Sequence, residues 1–261
     1  MGVSINTNKT LGVFAGTSII APQTSFVNTY SIEGDGVDAW VNCGTNSSLN
    51  FERTDTFSYS LWVKRNVVNT TNHMLLSKMN PTGNRRGLMF NLNTESKIVV
   101  MLRTDTSFTS QRLFWKTNEL INDTTDWHHV VFTFDGSSTV GGGKIYIDGA
   151  AATLDGATGG SLSATIQNSA PFLIMALSTA PLLPADVLMD EVAVFDSELS
   201  ASDVTSIYNG GGSGKPGDLT SLNPVSWWRF EEGSGTSAAD SGSASNTGTV
   251  ENSATFSTDV P

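Results

Sequence analysis

The chain reads as short runs of alternating apolar and polar residues separated by turns rich in Gly, Asn, Asp and Ser. Phe57, Tyr59, Leu61 and Val63 alternate with Ser58, Ser60 and Lys64, the period-two pattern of a half-buried antiparallel strand. Trp62 interrupts the polar side of that strand, which predicts that this side meets something other than bulk water. Leu88, Phe90 and Leu92 alternate with Met89, Asn91 and Asn93. Residues 97–103, 112–116, 127–134, 144–148, 172–177 and 187–195 are further strand-like runs. About ten to thirteen strands, spaced by about 8–15 residues with polar turns, predict a β-sandwich or jelly roll.

One segment has a different period. Ser200 is a good N-cap, Asp203 completes a capping box, and Val204, Ile207 and Tyr208 form one apolar face, so a two-turn helix is predicted over 201–208. Asn209 and Gly210 to Gly212 end it. The chain then divides into an N-terminal arm (1–27), a sandwich (28–209), a Gly/Pro linker (210–224) and C-terminal strands docking on the sandwich (225–261), the last opening with the strand-like VSWWRFE at 225–231. Residues 11–21 are mildly apolar but broken by Gly16, Thr17 and Ser18, which favours an arm packed on its own domain or on a neighbour over a cleaved signal.

Composition narrows the function. The 261 residues include 25 Gly and only 15% charged side chains, and Ser plus Thr make up roughly a quarter of the chain, a composition suited to turns and strand faces. A net charge of −11 argues against nucleic-acid binding, which needs cationic surface. No apolar run is long enough for a membrane-spanning helix. The single cysteine, Cys43, makes no internal disulfide. The charge is uneven: residues 1–116 carry 11 basic and 7 acidic side chains, whereas 117–261 carry 3 and 18.

Six segments, in order, carry a resemblance. They are residues 31–41 (SIEGDGVDAWV), Ser58 to Val63, Trp127-His128-His129-Val130 with Phe134-Asp135-Gly136, Tyr146-Ile147-Asp148-Gly149, Met189-Asp190-Glu191-Val192, and Leu199-Ser200-Ala201 through Ile207-Tyr208. Together they resemble a laminin G-like domain of the concanavalin A-like lectin/glucanase superfamily, with Asp35 displaced by one residue from the family's pattern. The resemblance implies an all-β, concanavalin A-like jelly-roll sandwich of two antiparallel sheets with one short helix. Residues 228–236, 240–242 and 247–249 are similar to a segment that usually precedes such a domain, but here they follow it.

That arrangement resembles single-domain laminin G-like proteins of tailed, especially marine, phages. It implies a non-enzymatic virion surface or tail-appendage protein, extracellular if not on a particle, with other virion proteins, copies of itself or host surface glycans as partners. The alternatives are a free carbohydrate-binding lectin and a glycoside hydrolase. The superfamily also implies a structural Ca²⁺, held by Asp190 with Asp35 or the Gly34 and Gly36 carbonyls. The other reading of Asp190 is a turn cap or an arginine partner.

A lectin needs aromatic platforms, for which Trp40, Trp62 and Trp115 are the candidates, although sandwich tryptophans are more often core. A glycosidase needs two carboxyls about 5–5.5 Å apart on a rigid strand in a retaining mechanism. Glu33, Asp35 and Asp38 have the outline, but Gly34 and Gly36 interleave them and favour a turn. His128 and His129, adjacent in a strand, point to opposite faces. Either could be catalytic, and a polar group satisfied within the sheet is the commoner case.

Overall fold

The computed structural model describes residues 26–80, 82, 85–104 and 111–261; the N-terminal arm before Phe26 lies outside them. The chain opens with β1 (Ser31–Glu33) and β2 (Trp40–Asn42), then the long β3 (Phe57–Arg65). A meander follows: β4 (His73–Met79), β5 (Gly87–Leu92), β6 (Ile98–Arg103) and β7 (Arg112–Thr117). Next come β8 (His128–Phe134), β9 (Gly143–Ile147), β10 (Ala150–Ala151), β11 (Leu154–Thr158), β12 (Leu173–Ile174) and β13 (Val187–Phe195). Helix α1 (Ala201–Tyr208) precedes β14 (Ser226–Trp228), β15 (Ser237–Ala238), β16 (Gly248–Glu251) and β17 (Thr255–Ser257).

These strands form two antiparallel sheets. The first runs β10-β9-β8-β3-β13-β1-β17, with β14 also on β13; the second runs β11-β7-β6-β5-β4-β12-β2-β16-β15. The concanavalin A-like sandwich therefore stands. The C-terminal strands enter both sheets: β17 pairs with β1 and β14 with β13, while β16 pairs with β2.

The alternation read from the sequence explains the core. Phe57, Tyr59, Leu61 and Val63 face the second sheet, whose Leu88, Phe90, Leu92, Val100 and Leu102 meet them in one large cluster. The opposite side of the first sheet is covered too. Val131, Tyr146, Ala193 and Phe195 pack against Val204 and Ile207 of α1, and against Leu219 and Trp227. The predicted capping box is formed: the Ser200 hydroxyl accepts from Asp203 N at 3.2 Å, and Ser200 N donates to Asp203 at 2.9 Å.

Two boundaries differ from the sequence reading. β12 ends at Ile174 because Met175 is left-handed (φ 69°), and β14 ends at Trp228, two residues before left-handed Phe230 (φ 57°). Such conformations break the regular pleat and end a strand unless a bulge absorbs them, as one does at left-handed Glu191 (φ 49°) within β13. Asp148-Gly149 forms a two-residue hairpin turn, with both φ values positive and Ile147 paired to Ala150, as such a turn requires. Asp135-Gly136 does not; it opens a longer loop closed by Asp135 N donating to Gly142 O at 3.1 Å.

Candidate functional site

The outer face of the second sheet is built by the residues that alternate with its core positions. Register places Phe114 beside Met101, Met101 beside Met89, and Met89 beside Ser77, one row across β7, β6, β5 and β4. Two positions along, Arg112, Arg103, Gly87 and Met79 form the next row. The segment after β12 rises over one end as a wall. It is fixed by Met74 N donating to Leu183 O (3.1 Å) and Leu177 N to Leu182 O (2.9 Å). Between wall and sheet lies a depression of about 260 Å³, floored by Met79, Met89 and Met101, walled by Leu177, Leu182 and Leu183, and lined by Arg85 and Arg103. Leu182 is 48% exposed, an apolar side chain presented to whatever enters.

The three candidate tryptophans are elsewhere. Trp40 is 5% exposed on the same outer face, but Leu173 and Ala176 cover it. Trp115 is fully buried between the sheets, its indole N–H donating to Val140 O at 2.8 Å. Trp62 is 1% exposed and lies under α1, 5.7 Å from the Tyr208 ring and 5.1 Å from the His129 ring. None presents a free aromatic face: the helix covers Trp62, the wall segment covers Trp40, and Trp115 lies inside the sandwich core.

The paired histidines have opposite electrostatics. His129 is buried, and its Nε2 shares a 2.8 Å hydrogen bond with the Ser60 hydroxyl; burial pushes its pKa down to about 3. His128 donates from Nδ1 to Asp148 (2.9 Å) and from Nε2 to Asp123 (3.0 Å). The Asp148 hydrogen bond, with Asp123, holds its pKa up to about 9 despite partial burial. Asp148 also accepts from His129 N at 2.9 Å. Every ring nitrogen of His128 is thus committed to structure.

Known proteins now bear on the site. The family model of the laminin G-like concanavalin A-like lectin/glucanases superfamily matches residues 35–205, well over half of the chain. The chain belongs to this superfamily. No curated protein matches it. Among solved structures, a proposed carbohydrate-binding protein from Bacteroides ovatus is similar in fold at 12% identity, with a TM-score of 0.61 over 88% of this chain. This chain spans 60% of that structure's length. The native heptameric SAP-like pentraxin from Limulus polyphemus is similar at 11% identity, with a TM-score of 0.57, covering 89% of this chain and 96% of that one.

The superfamily's implied metal can be tested on the residues present. Asp190 and Asp35 are not brought together. The β1–β13 ladder pairs Ile32 with Met189 and continues with Gly34 N to Val187 O and Gly36 N to Ala185 O, so the two carboxylates lie toward opposite ends of it. Asp35 is occupied as a loop cap. Its Oδ1 accepts from Val37, Asp38 and Ala39 N, and its Oδ2 from the Ser253 hydroxyl. Against its burial, these bonds hold its pKa down to about 2. Gly34 is required by close packing, since a Cβ there would sit 2.4 Å from Ala185 O. Asp35, Gly34 and Gly36 therefore do not complete a cation cradle with Asp190. Among the described residues, no group of three or more His, Cys, Asp or Glu converges on a metal position.

Asp190 stands apart from these residues. It is fully buried, and burial with the adjacent Glu191 pushes its pKa well up. Asn28 donates to its Oδ2 at 2.9 Å, while the buried Asn28 Oδ1 has no hydrogen-bond partner. Arg229 pairs with Glu191 rather than Asp190, at 3.3 Å. A hard cation would take oxygens from Asp190 and a turned Asn28 amide, which suits the oxygen preference of Ca²⁺. Asn28 was not among the residues the sequence singled out, because a lone Asn ahead of a strand carries no signal. The Met row did carry one: Met89 stands with Asn91 on the polar side of β5.

Proposed function

We propose that this chain is a non-enzymatic glycan-binding module that acts by adhesion through the outer face of its second sheet. The observation that carries this reading is the open depression over β4, β5 and β6, which combines an apolar floor suited to sugar C–H faces with guanidinium groups suited to sugar oxygens. The carboxylates that outline a glycosidase are turned to other work: Glu33 accepts from Asn66 at 3.2 Å, Asp35 caps its own loop, and Asp38 accepts from Ser253. Glu33 closes β1 and the two aspartates sit in the loop after it, away from the depression, which supports binding without hydrolysis. A structural Ca²⁺ at Asp190 and Asn28 belongs to the same reading, as a neutraliser of buried charge.

A glycan array on the purified chain tests binding, and a reducing-sugar assay tests hydrolysis. Retention of one or more glycans with no release of reducing ends is the expected result. An empty array, or turnover, overturns it. Display on a phage particle rests on the C-terminal segment that follows the sandwich instead of preceding it. Mass spectrometry of purified particles decides that setting, and absence of the chain from the particle removes it.

A further inference from the structure

A second depression, of about 390 Å³, lies on the other side of the sandwich, among residues that cover the outer face of the first sheet. Three segments distant in sequence build it. Val27 is held through its carbonyl, which accepts from the Arg229 guanidinium. Asp218 and Thr220 flank Leu219, which is buried in the same cluster as Trp227. Ser241 is fixed by its N–H, which donates to Trp227 O at 2.8 Å. The volume falls within the range of about 300–1,000 Å³ usual for small-ligand sites, and each wall is tied to the sheet.

The two charged side chains of the lining exclude ligands of either sign. The Arg229 guanidinium lies 4.4 Å from the Phe26 ring centre and 5.1 Å from that of Trp227, so the cation position over these rings is already filled. Arg229 is itself committed, donating to Glu191 at 3.3 Å and to Val27 O. Asp218 is exposed, and hydrogen bonds from Thr220 hold its carboxyl below the ordinary value. An ionised Asp218 repels an anion, as do the 18 acidic side chains that residues 117–261 set against 3 basic ones. What remains is a neutral ligand.

The polar atoms left uncommitted are mainly acceptors. Asp218 Oδ1 accepts from Thr220 N at 2.8 Å and from the Thr220 hydroxyl, while Oδ2 has no partner among the described residues. The Thr220 hydroxyl has given its proton to Asp218 and offers lone pairs. The exposed Ser241 hydroxyl has no partner among the described residues either. A ligand that meets this set brings its own hydroxyl protons. Apolar contact comes from Val27, which is 58% exposed, and from the Phe26 ring, which borders both this depression and a neighbouring one of about 450 Å³. We propose that the depression on the first sheet is a second carbohydrate site, for a neutral pyranose that donates hydroxyl protons to Asp218 and Thr220 and rests its C–H surface on Phe26 and Val27. The proposal goes beyond the second-sheet depression and does not rest on it.

The test titrates the whole chain, labelled with ¹⁵N, near neutral pH. The probes are the methyl glycosides of glucose, galactose and mannose, each compared with its uronate, in which a carboxylate replaces CH₂OH. The amide signals of Val27, Thr220 and Ser241 are expected to shift with at least one neutral glycoside, and its uronate is expected to bind about tenfold more weakly. Asp218→Asn keeps an oxygen for Thr220 but puts an N–H donor where Oδ2 accepts, and it is expected to weaken binding about tenfold. Ser241→Ala leaves the backbone bond to Trp227 O in place and is expected to weaken binding about threefold. Both positions are exposed, and melting curves that match the parent establish that the variants fold.

Silence at these three amides with every glycoside overturns the proposal. Shifts at Met89 and Met101 alone remove this site and leave the second-sheet reading standing, whereas shifts at Thr220 and Ser241 alone do the reverse. An Asp218→Asn variant that folds and binds as the parent does would remove the acceptor on which the site's chemistry depends, and the proposal with it. Tighter binding of the uronates would show an anion site and overturn the neutral ligand.

Discussion

Trp62 and Tyr208 lie nearly parallel, with ring centroids 5.7 Å apart and planes inclined by 17°. One residue belongs to the centre of β3 and the other to the last turn of α1, so this contact is how the helix closes over the polar side of the strand. Tyr208 also fills the space beside Gly149 and Gly214, where a Cβ would come within 2.9 and 2.7 Å of its side chain. Tyr208→Ala is expected to lower stability by about 1–2 kcal/mol and to shift tryptophan emission to the red as Trp62 is wetted. Tyr208→Phe keeps the stack and should be nearly neutral. Urea titration followed by fluorescence reads both; an unchanged Ala variant would show that the helix does not protect the sheet.

The same pair shows how far the sequence could be read. Alternation along residues 57–63 located β3, and the lone Trp62 on its polar side announced a cover, because an indole is costly to leave on a wet strand. The capping box and the spacing of Val204, Ile207 and Tyr208 located the helix. Nothing local said that the helix was the cover, since that depends on how β8, β3 and β13 are ordered in the sheet. The candidate site was less legible. The depression joins Met79, Met89, Met101 and Leu182 from four segments, and only strand register brings them side by side. Met175 and Phe230 ended their strands with left-handed backbone that no propensity for Met or Phe foretells. Aromatic type alone drew attention to Trp40 and Trp115, whose burial follows from neighbours distant in sequence.

His128 and His129 give the stability curve two opposed slopes. His128 has its pKa raised to about 9 by Asp148 and Asp123. Its contribution is complete below the unfolded value of about 6.5 and is lost as pH rises through 9. His129 has its pKa lowered to about 3 by burial. Its contribution is complete above about 6.5 and is lost as pH falls toward 3. His128→Gln is expected to flatten the alkaline slope between pH 6.5 and 9 by about 2 kcal/mol, leaving the acid slope in place. Denaturation midpoints at several pH values check it. An alkaline slope identical in the variant would place the titrating group elsewhere, with Glu191 the next to examine, because burial raises its pKa to about 8.

Gly143 is where Trp115 sets a steric limit. A Cβ on Gly143 would stand 2.4 Å from two carbons of the indole ring, and the ring is held by its bond to Val140 O and by Phe132 and Phe134. Gly143→Ala is therefore expected to cost about 1–3 kcal/mol by overpacking. Trp115→Phe removes the clashing edge. In the double variant, part of the cost of the alanine should be recovered, a coupling that a double-mutant cycle measures directly. Strict additivity of the two changes would show that the indole and the glycine do not constrain each other.

Asp190 offers the sharpest test of the cation reading. Without a cation the carboxylate is buried beside Glu191, and among the described residues Asn28 supplies the one side-chain hydrogen bond to it. Millimolar Ca²⁺ is expected to raise the melting temperature by about 5 °C or more if it saturates the site at roughly a hundred times its Kd. Asp190→Asn removes the charge but not the shape. Its amide can donate to the Asn28 Oδ1 that now lacks a partner, while its oxygen keeps the bond from Glu191 N. In EDTA the variant should therefore equal or exceed the parent in stability, since a carboxyl whose ionisation is opposed by burial is replaced by a satisfied amide. The Ca²⁺ response should vanish. A parent protein whose melting point is the same in EDTA and in Ca²⁺ would rule the site out. A variant that still responds to Ca²⁺ would move the cation away from Asp190.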